Sequence, residues 1–115
     1  MAKKNPLLTT PPYAVEQALK TLGANLRTAR LRRNLTIQDV ADKIGTGPRA
    51  VSDAEKGKLS TGVAVYAALL WAFDLLGPME ALADPAQDEE GLALASSRER
   101  VRARQSQSGD IDNDF

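Results

Sequence analysis

The stretch TIQDVADKIGTGPRAVSDAEKGK, residues 36–58, decides how the chain is read. Thr36 suits a helix N-cap, and Val40, Ala41 and Ile44 form an apolar stripe at helical spacing. Gly45 supplies the stop that a helix commonly takes from glycine. Thr46 is an N-cap candidate for a second helix, and Pro48 is tolerated in its first turn. Val51 and Ala54 give this second helix an inward face, and Gly57 ends it. The spacing thus predicts two short helices joined by a tight turn at Gly45.

Working outward, a helix is predicted over 13–34. Val15, Leu19, Leu22, Leu26 and Ala29 make one inward stripe, with Gly23 weakening the middle slightly. Arg27, Arg30, Arg32 and Arg33 lie outside it, where the helix dipole favours cations near the C-terminal end. They also suit DNA backbone, and a pair between Arg30 and Glu55 would hold two helices together. Downstream, Ser60 and Thr61 are N-cap candidates for a helix over 62–74. Val65, Leu69, Ala72, Phe73 and Leu76 can face the core, while Val63, Tyr66, Leu70 and Trp71 point elsewhere. A helix apolar nearly all round needs burial on more than one side, here another subunit or a partner. Gly77 and Pro78 break it, and Met79, Leu82 and Ala83 fit a short fifth helix.

The flanks differ in composition. Residues 1–12 hold three prolines and read as a mobile arm, whose Lys3 and Lys4 suit phosphate or an acidic partner. Residues 84–91, DPAQDEEG, are an acidic turn or linker; Gly91–Ala95 fits helix or strand. From Ser96 the composition is that of a disordered tail. No metal site is expected in Asp110, Asp112 and Asp114, because the EF-hand spacing is absent.

The 115 residues carry no net charge, but the distribution is uneven. Between Lys20 and Lys58 there are nine Lys or Arg against four Asp or Glu; from Asp74 to Glu90 there are six acids and no base. Arg98, Arg100, Arg102 and Arg104 then form a basic strip that suits DNA or an acidic partner. Without cysteine there is no disulfide or thiolate metal site, and without histidine the commonest general base is missing. No P-loop, Gly-x-Gly-x-x-Gly or Ser-x-x-Lys occurs, so neither enzyme nor cofactor is expected. The longest apolar run, Val63 to Phe73, is short of the ~20 residues that span a bilayer. No secretory signal is visible, and a cytoplasmic protein is expected.

Helix, glycine turn, helix is the helix-turn-helix signature, in which the second helix enters a DNA major groove. Its first turns present Pro48, Arg49 and Ala50, then Ser52 and Asp53, as base-contact candidates. Arg49 is the best of them, since its guanidinium forks onto guanine O6 and N7. Asp53 can accept from cytosine N4, or orient Arg49 one turn away. Lys43, Lys56 and Lys58, with Thr36, Gln38 and Thr46 at two helix starts, are the phosphate candidates.

The segment LGANLRTARLRRNLTIQDVADKIGTGPRAVSDAEKGK resembles the Cro/phage-repressor type of helix-turn-helix, the XRE family. The resemblance runs from about Leu22 to Leu76. Its carriers are the Leu-x-x-x-Leu-Arg start, the Thr-x-x-x-x-Ala run ending in Gly45, and Val-Ser-x-x-Glu-x-Gly from Val51 to Gly57. It implies a five-helix domain that binds double-stranded operator DNA as a homodimer. Ile37 stands where the family often has Gln, and Pro48 and Asp53 where it is often polar or basic, so the readout does not carry over. The following LLGPMEALADPAQDEEGLALASSRERVRARQ is similar to the end of HipB-like antitoxins, found beside HipA-like serine/threonine kinase toxins.

The expected architecture is all-α: a flexible arm over 1–12, a compact five-helix DNA-binding and dimerisation domain over 13–83, and over 84–115 an acidic linker and an Arg-rich, largely disordered tail. Tyr66, Leu70, Trp71, Met79 and Leu82 are the dimer or partner candidates. The expected function is a repressor that autoregulates its operon and binds a HipA-like kinase toxin as antitoxin. A free-standing repressor and a protein-interaction module that has lost DNA binding stay open beside it.

Overall fold

The computed structural model describes residues 5–113, with side-chain environments to residue 106. Lys3, Lys4 and Asp114, and the side chains of Asp110 and Asp112, lie outside the described residues. The chain is all-helical among the described residues: α1 (Pro6–Thr9), α2 (Tyr13–Arg32), α3 (Ile37–Ile44), α4 (Pro48–Glu55), α5 (Val63–Ala72) and α6 (Glu89–Asn113). It divides into two units, Met1–Met79 and Glu80–Phe115. Among the described residues no helix is long and apolar enough to cross a membrane.

In the first unit, α4 packs on α2, α3 and α5, and α3 also packs on α5. The core joins Leu26 and Ala29 of α2, Val40 and Ala41 of α3, Val51 and Ala54 of α4, and Tyr66, Leu69 and Phe73 from α5 and its end. Complete burial of Leu26, Val40, Val51, Leu69 or Phe73 contributes roughly 1.5–3 kcal/mol each. Val15, placed inward by its spacing, is exposed, because the packed part of α2 begins further along at Leu19. Gly23 is more than a weak point in that helix. A Cβ there would lie 2.5 Å from the Ala54 carbonyl oxygen and 2.7 Å from that of Glu55, so the missing side chain lets α2 and α4 approach backbone to backbone.

Local chemistry sets the helix ends. At α3, Thr36 Oγ1 accepts the Asp39 N–H at 3.0 Å, and Asp39 Oδ2 accepts the Thr36 N–H at 2.9 Å, a reciprocal capping box. Gly45 ends α3 with φ 79°, in the left-handed region. Two expected caps are displaced. Gly47, not Thr46, is the N-cap of α4, and Gly62, not Ser60 or Thr61, is that of α5; neither helix start has a side-chain cap. The predicted fifth helix is realised as a 3-10 turn, Gly77–Ala81, and Ala83, at φ 60°, lies beyond its end.

Both flanks carry helix where composition suggested none. Pro6 fits the first turn of α1, whose start is capped by Asn5 Oδ1 on the Leu7 N–H at 3.0 Å; only Pro11 and Pro12 act as breakers. In the second unit, α6 runs through the stretch read as a disordered tail. Asp88 begins it, its side chain accepting the Gly91 N–H at 3.0 Å and its carbonyl accepting from Leu92 at 2.9 Å. Ala, Glu, Arg and Gln favour helix, yet the described side chains from Leu92 onward are all exposed. A helix that buries so little has the composition of a disordered segment, which is why the two read alike.

Candidate nucleic-acid interface

The fold turns one side of α4 to solvent. Val51 and Ala54 are fully buried on its inner side, so Pro48, Arg49 and Lys56 are left exposed, with Ser52 and Asp53 partly exposed beside them. Arg49 and Lys56 are seven residues apart, about two turns, and so share one side of the helix. Ala50 lies round toward the core and is partly buried. Among the described residues no acidic side chain pairs with Arg49 or Lys56, so both cations face water.

The inner side is held by a buried ion pair. Arg30 Nε donates to Glu55 Oε2 at 2.6 Å, Nη2 to Oε1 at 3.0 Å, and Nη1 to the Leu35 carbonyl at 2.9 Å. The bonds to Glu55, then its charge, raise the Arg30 pKa against the opposing effect of burial. Arg30 and Glu55 are thereby committed to structure. Arg33 is committed too: it donates to the Ala29 and Phe73 carbonyls, each at 2.9 Å, with its guanidinium 5.3 Å from the centre of the Phe73 ring.

Several candidate residues are engaged elsewhere. Lys43, itself exposed, donates through Nζ to the Ala72 carbonyl at 3.2 Å and stands 5.9 Å from the Trp71 ring centre, at the end of α5. Gln38, an exposed phosphate candidate, donates to Asp42 Oδ1 at 2.8 Å. Thr36 spends its hydroxyl on its own helix, while partly buried Thr46 passes its N–H back to the Ala41 carbonyl at 3.0 Å. Asp53 pairs with Lys58 and not with the expected Arg49: its Oδ1 is 3.1 Å from Lys58 Nζ. Ile37 packs against the core, which accounts for an apolar residue at that place.

Of the dimer or partner candidates, Tyr66 is a correction. Its ring is buried in the core, and its hydroxyl donates to the Lys58 carbonyl at 2.9 Å; burial raises its pKa. Leu70 is partly buried against the core, and Met79 is partly buried. Trp71 remains 57% exposed and Leu82, in the second unit, 71%. Val63 and Leu75 are further exposed apolar side chains, and Leu75 stands where the predicted helix has already ended. The capping partner Asp39 and the Lys58–Asp53 pair were missed from sequence. A Thr-x-x-Asp box flags the first; nothing in the spacing flags the second, because it depends on the turn at Gly57.

The sequence profile of a helix-turn-helix domain matches residues 21–83, more than half of the chain and the whole of α3, α4 and α5. No curated protein and no solved structure matches. With α3 and α4 joined at Gly45 and a cationic face turned outward, the chain belongs to the helix-turn-helix domain family, a family of DNA-binding regulators.

Proposed function

We propose that the chain is a sequence-specific transcriptional repressor of the Cro/phage-repressor type, acting on operator DNA as a homodimer. The observation that carries this reading is the outward side of α4, where Arg49 and Lys56 stand exposed on a helix fixed from behind by three others. Arg49 then reads guanine through its fork, and Lys56 holds phosphate and sets register. The exposed Trp71 supports a second subunit on α5.

The test is binding of the purified full chain to duplex DNA from its own promoter region and to a shuffled duplex. Arg49→Ala is expected to weaken specific binding by ~1–3 kcal/mol and relax base preference. Lys56→Ala is expected to weaken binding to both duplexes and lower the salt slope by about one. Equal affinity of the wild-type chain for the two duplexes would remove the sequence-specific reading.

The repressor is further read as autoregulating its own operon and as antitoxin to a HipA-like serine/threonine kinase toxin. The order of segments after Leu75 supports this, as do Leu92, Leu94 and Val101, apolar side chains left exposed on α6. A kinase-like gene beside this one, and a complex on co-expression, are the expected findings; an isolated gene counts heavily against it.

A further inference from the structure

The ion pair between Asp53 and Lys58 lies at the outer side of α4, the side that carries Arg49 and Lys56. Lys58 follows Gly57, whose φ of 69° turns the chain back at the end of α4. Its backbone is held at both ends. The Lys58 N–H donates to the Asp53 carbonyl at 3.1 Å, and its carbonyl accepts the Tyr66 hydroxyl at 2.9 Å. From that fixed position Lys58 Nζ reaches Asp53 Oδ1 at 3.1 Å, with the two side chains 45% and 24% exposed. A pair so open to water adds little to stability. What it changes is the charge presented there: among the described residues Arg49 and Lys56 have no acidic partner, while Lys58 stands against the Asp53 carboxylate.

We propose that Asp53 tunes the sequence-independent grip of the chain on DNA, holding Lys58 off phosphate so that any duplex is bound more weakly and with a shallower salt dependence. The inference rests on the DNA-binding reading above. A lysine on phosphate adds affinity for every sequence alike and releases counterions, so it raises binding without discrimination. A contribution common to every sequence cancels from the difference between operator and non-operator DNA, so lowering it loosens the grip on any duplex and leaves base preference to Arg49. Asp53 does this by occupying Lys58 and by placing a carboxylate, not a further cation, beside Arg49.

The experiment is the salt dependence of binding to random-sequence duplex DNA by the full wild-type chain, Asp53→Asn, and Asp53→Asn with Lys58→Gln. Circular dichroism confirms that each is folded. Asp53→Asn is expected to bind several-fold more tightly, with a log–log salt slope steeper by about 0.9, one more phosphate neutralised. The double variant, a neutral pair in place of an ion pair, is expected to return to the wild-type slope. An Asp53→Asn slope equal to wild type overturns the inference. So does a double variant that stays as steep as Asp53→Asn, since Lys58 then plays no part, or one shallower than wild type, since Lys58 then already holds phosphate. No salt-dependent binding by the wild-type chain overturns the DNA-binding reading and this inference with it; binding with the wrong slopes overturns this inference alone.

Discussion

Arg30 of α2 grips Glu55, the last residue of α4, through two parallel hydrogen bonds of 2.6 and 3.0 Å, with both side chains less than a tenth exposed. The guanidinium's remaining reach is taken by the Leu35 carbonyl, at the turn that leads into α3. One side chain therefore ties the helix before the motif to its second helix and to the loop that enters it. Among the described residues no buried side-chain nitrogen or oxygen is left without a partner.

Breaking that pair from one side strands the other charge. Glu55→Ala is expected to destabilise the fold by ~3–5 kcal/mol in urea unfolding, because Arg30 keeps its burial and loses its counter-charge. Replacing both residues with apolar ones of similar volume is expected to cost much less. If the single and double changes cost the same, the pair does not tie α2 to α4.

Gly23→Ala tests whether local or tertiary preference governs α2. Helix propensity alone favours the alanine by roughly 1 kcal/mol. The geometry says the opposite, since the new methyl would meet backbone atoms of Ala54, Glu55 and Gly57 within 2.7 Å. Backbone cannot swing aside as a side-chain tip can, so a loss of ~1–3 kcal/mol or more is expected. A raised melting temperature would count against the backbone-to-backbone approach.

The capping box makes α3 sensitive to acid. Hydrogen bonds from the Thr36 backbone and hydroxyl hold the Asp39 carboxyl below its ordinary value of 3.8. A carboxylate lowered on folding contributes stability that is present above 3.8 and lost as pH falls through the folded value. Asp39→Asn is therefore expected to melt below wild type at pH 7, with the difference shrinking as pH drops beneath 3.8. Melting curves across that range read it directly; a gap that does not narrow in acid excludes the carboxylate as its source.

For the proposed dimer, Trp71→Ser is the informative change. With the ring 57% exposed, its removal is expected to alter unfolding little, on the order of 0.5 kcal/mol, while shifting the sedimentation profile toward monomer. Lys43 keeps its bond to the Ala72 carbonyl, so the end of α5 stays closed. A variant as dimeric as wild type places the subunit contact elsewhere.

Much of this protein was determined by local sequence, because helix, cap and turn are decided by neighbours in the chain. Thr36 begins α3, Gly45 ends it in the left-handed region, and Val40, Ala41, Val51 and Ala54 mark the inward side that forces Arg49 and Lys56 out. Even the Arg30–Glu55 pair was legible, since the two residues lie on helices that the motif brings together. Tertiary structure decided what the remaining polar residues are for. Lys43 closes α5 because α3 packs on that helix, Tyr66 turns into the core, and Asp53 holds a lysine brought back by the turn at Gly57. It also decided that Gly23 is required where local propensity would discard it. The physical reason is the same in each case. Periodicity reports which side of a helix is buried, but a long side chain or a close backbone approach takes its role from the partner that packing delivers, and that partner is distant in the chain or reached only through a turn.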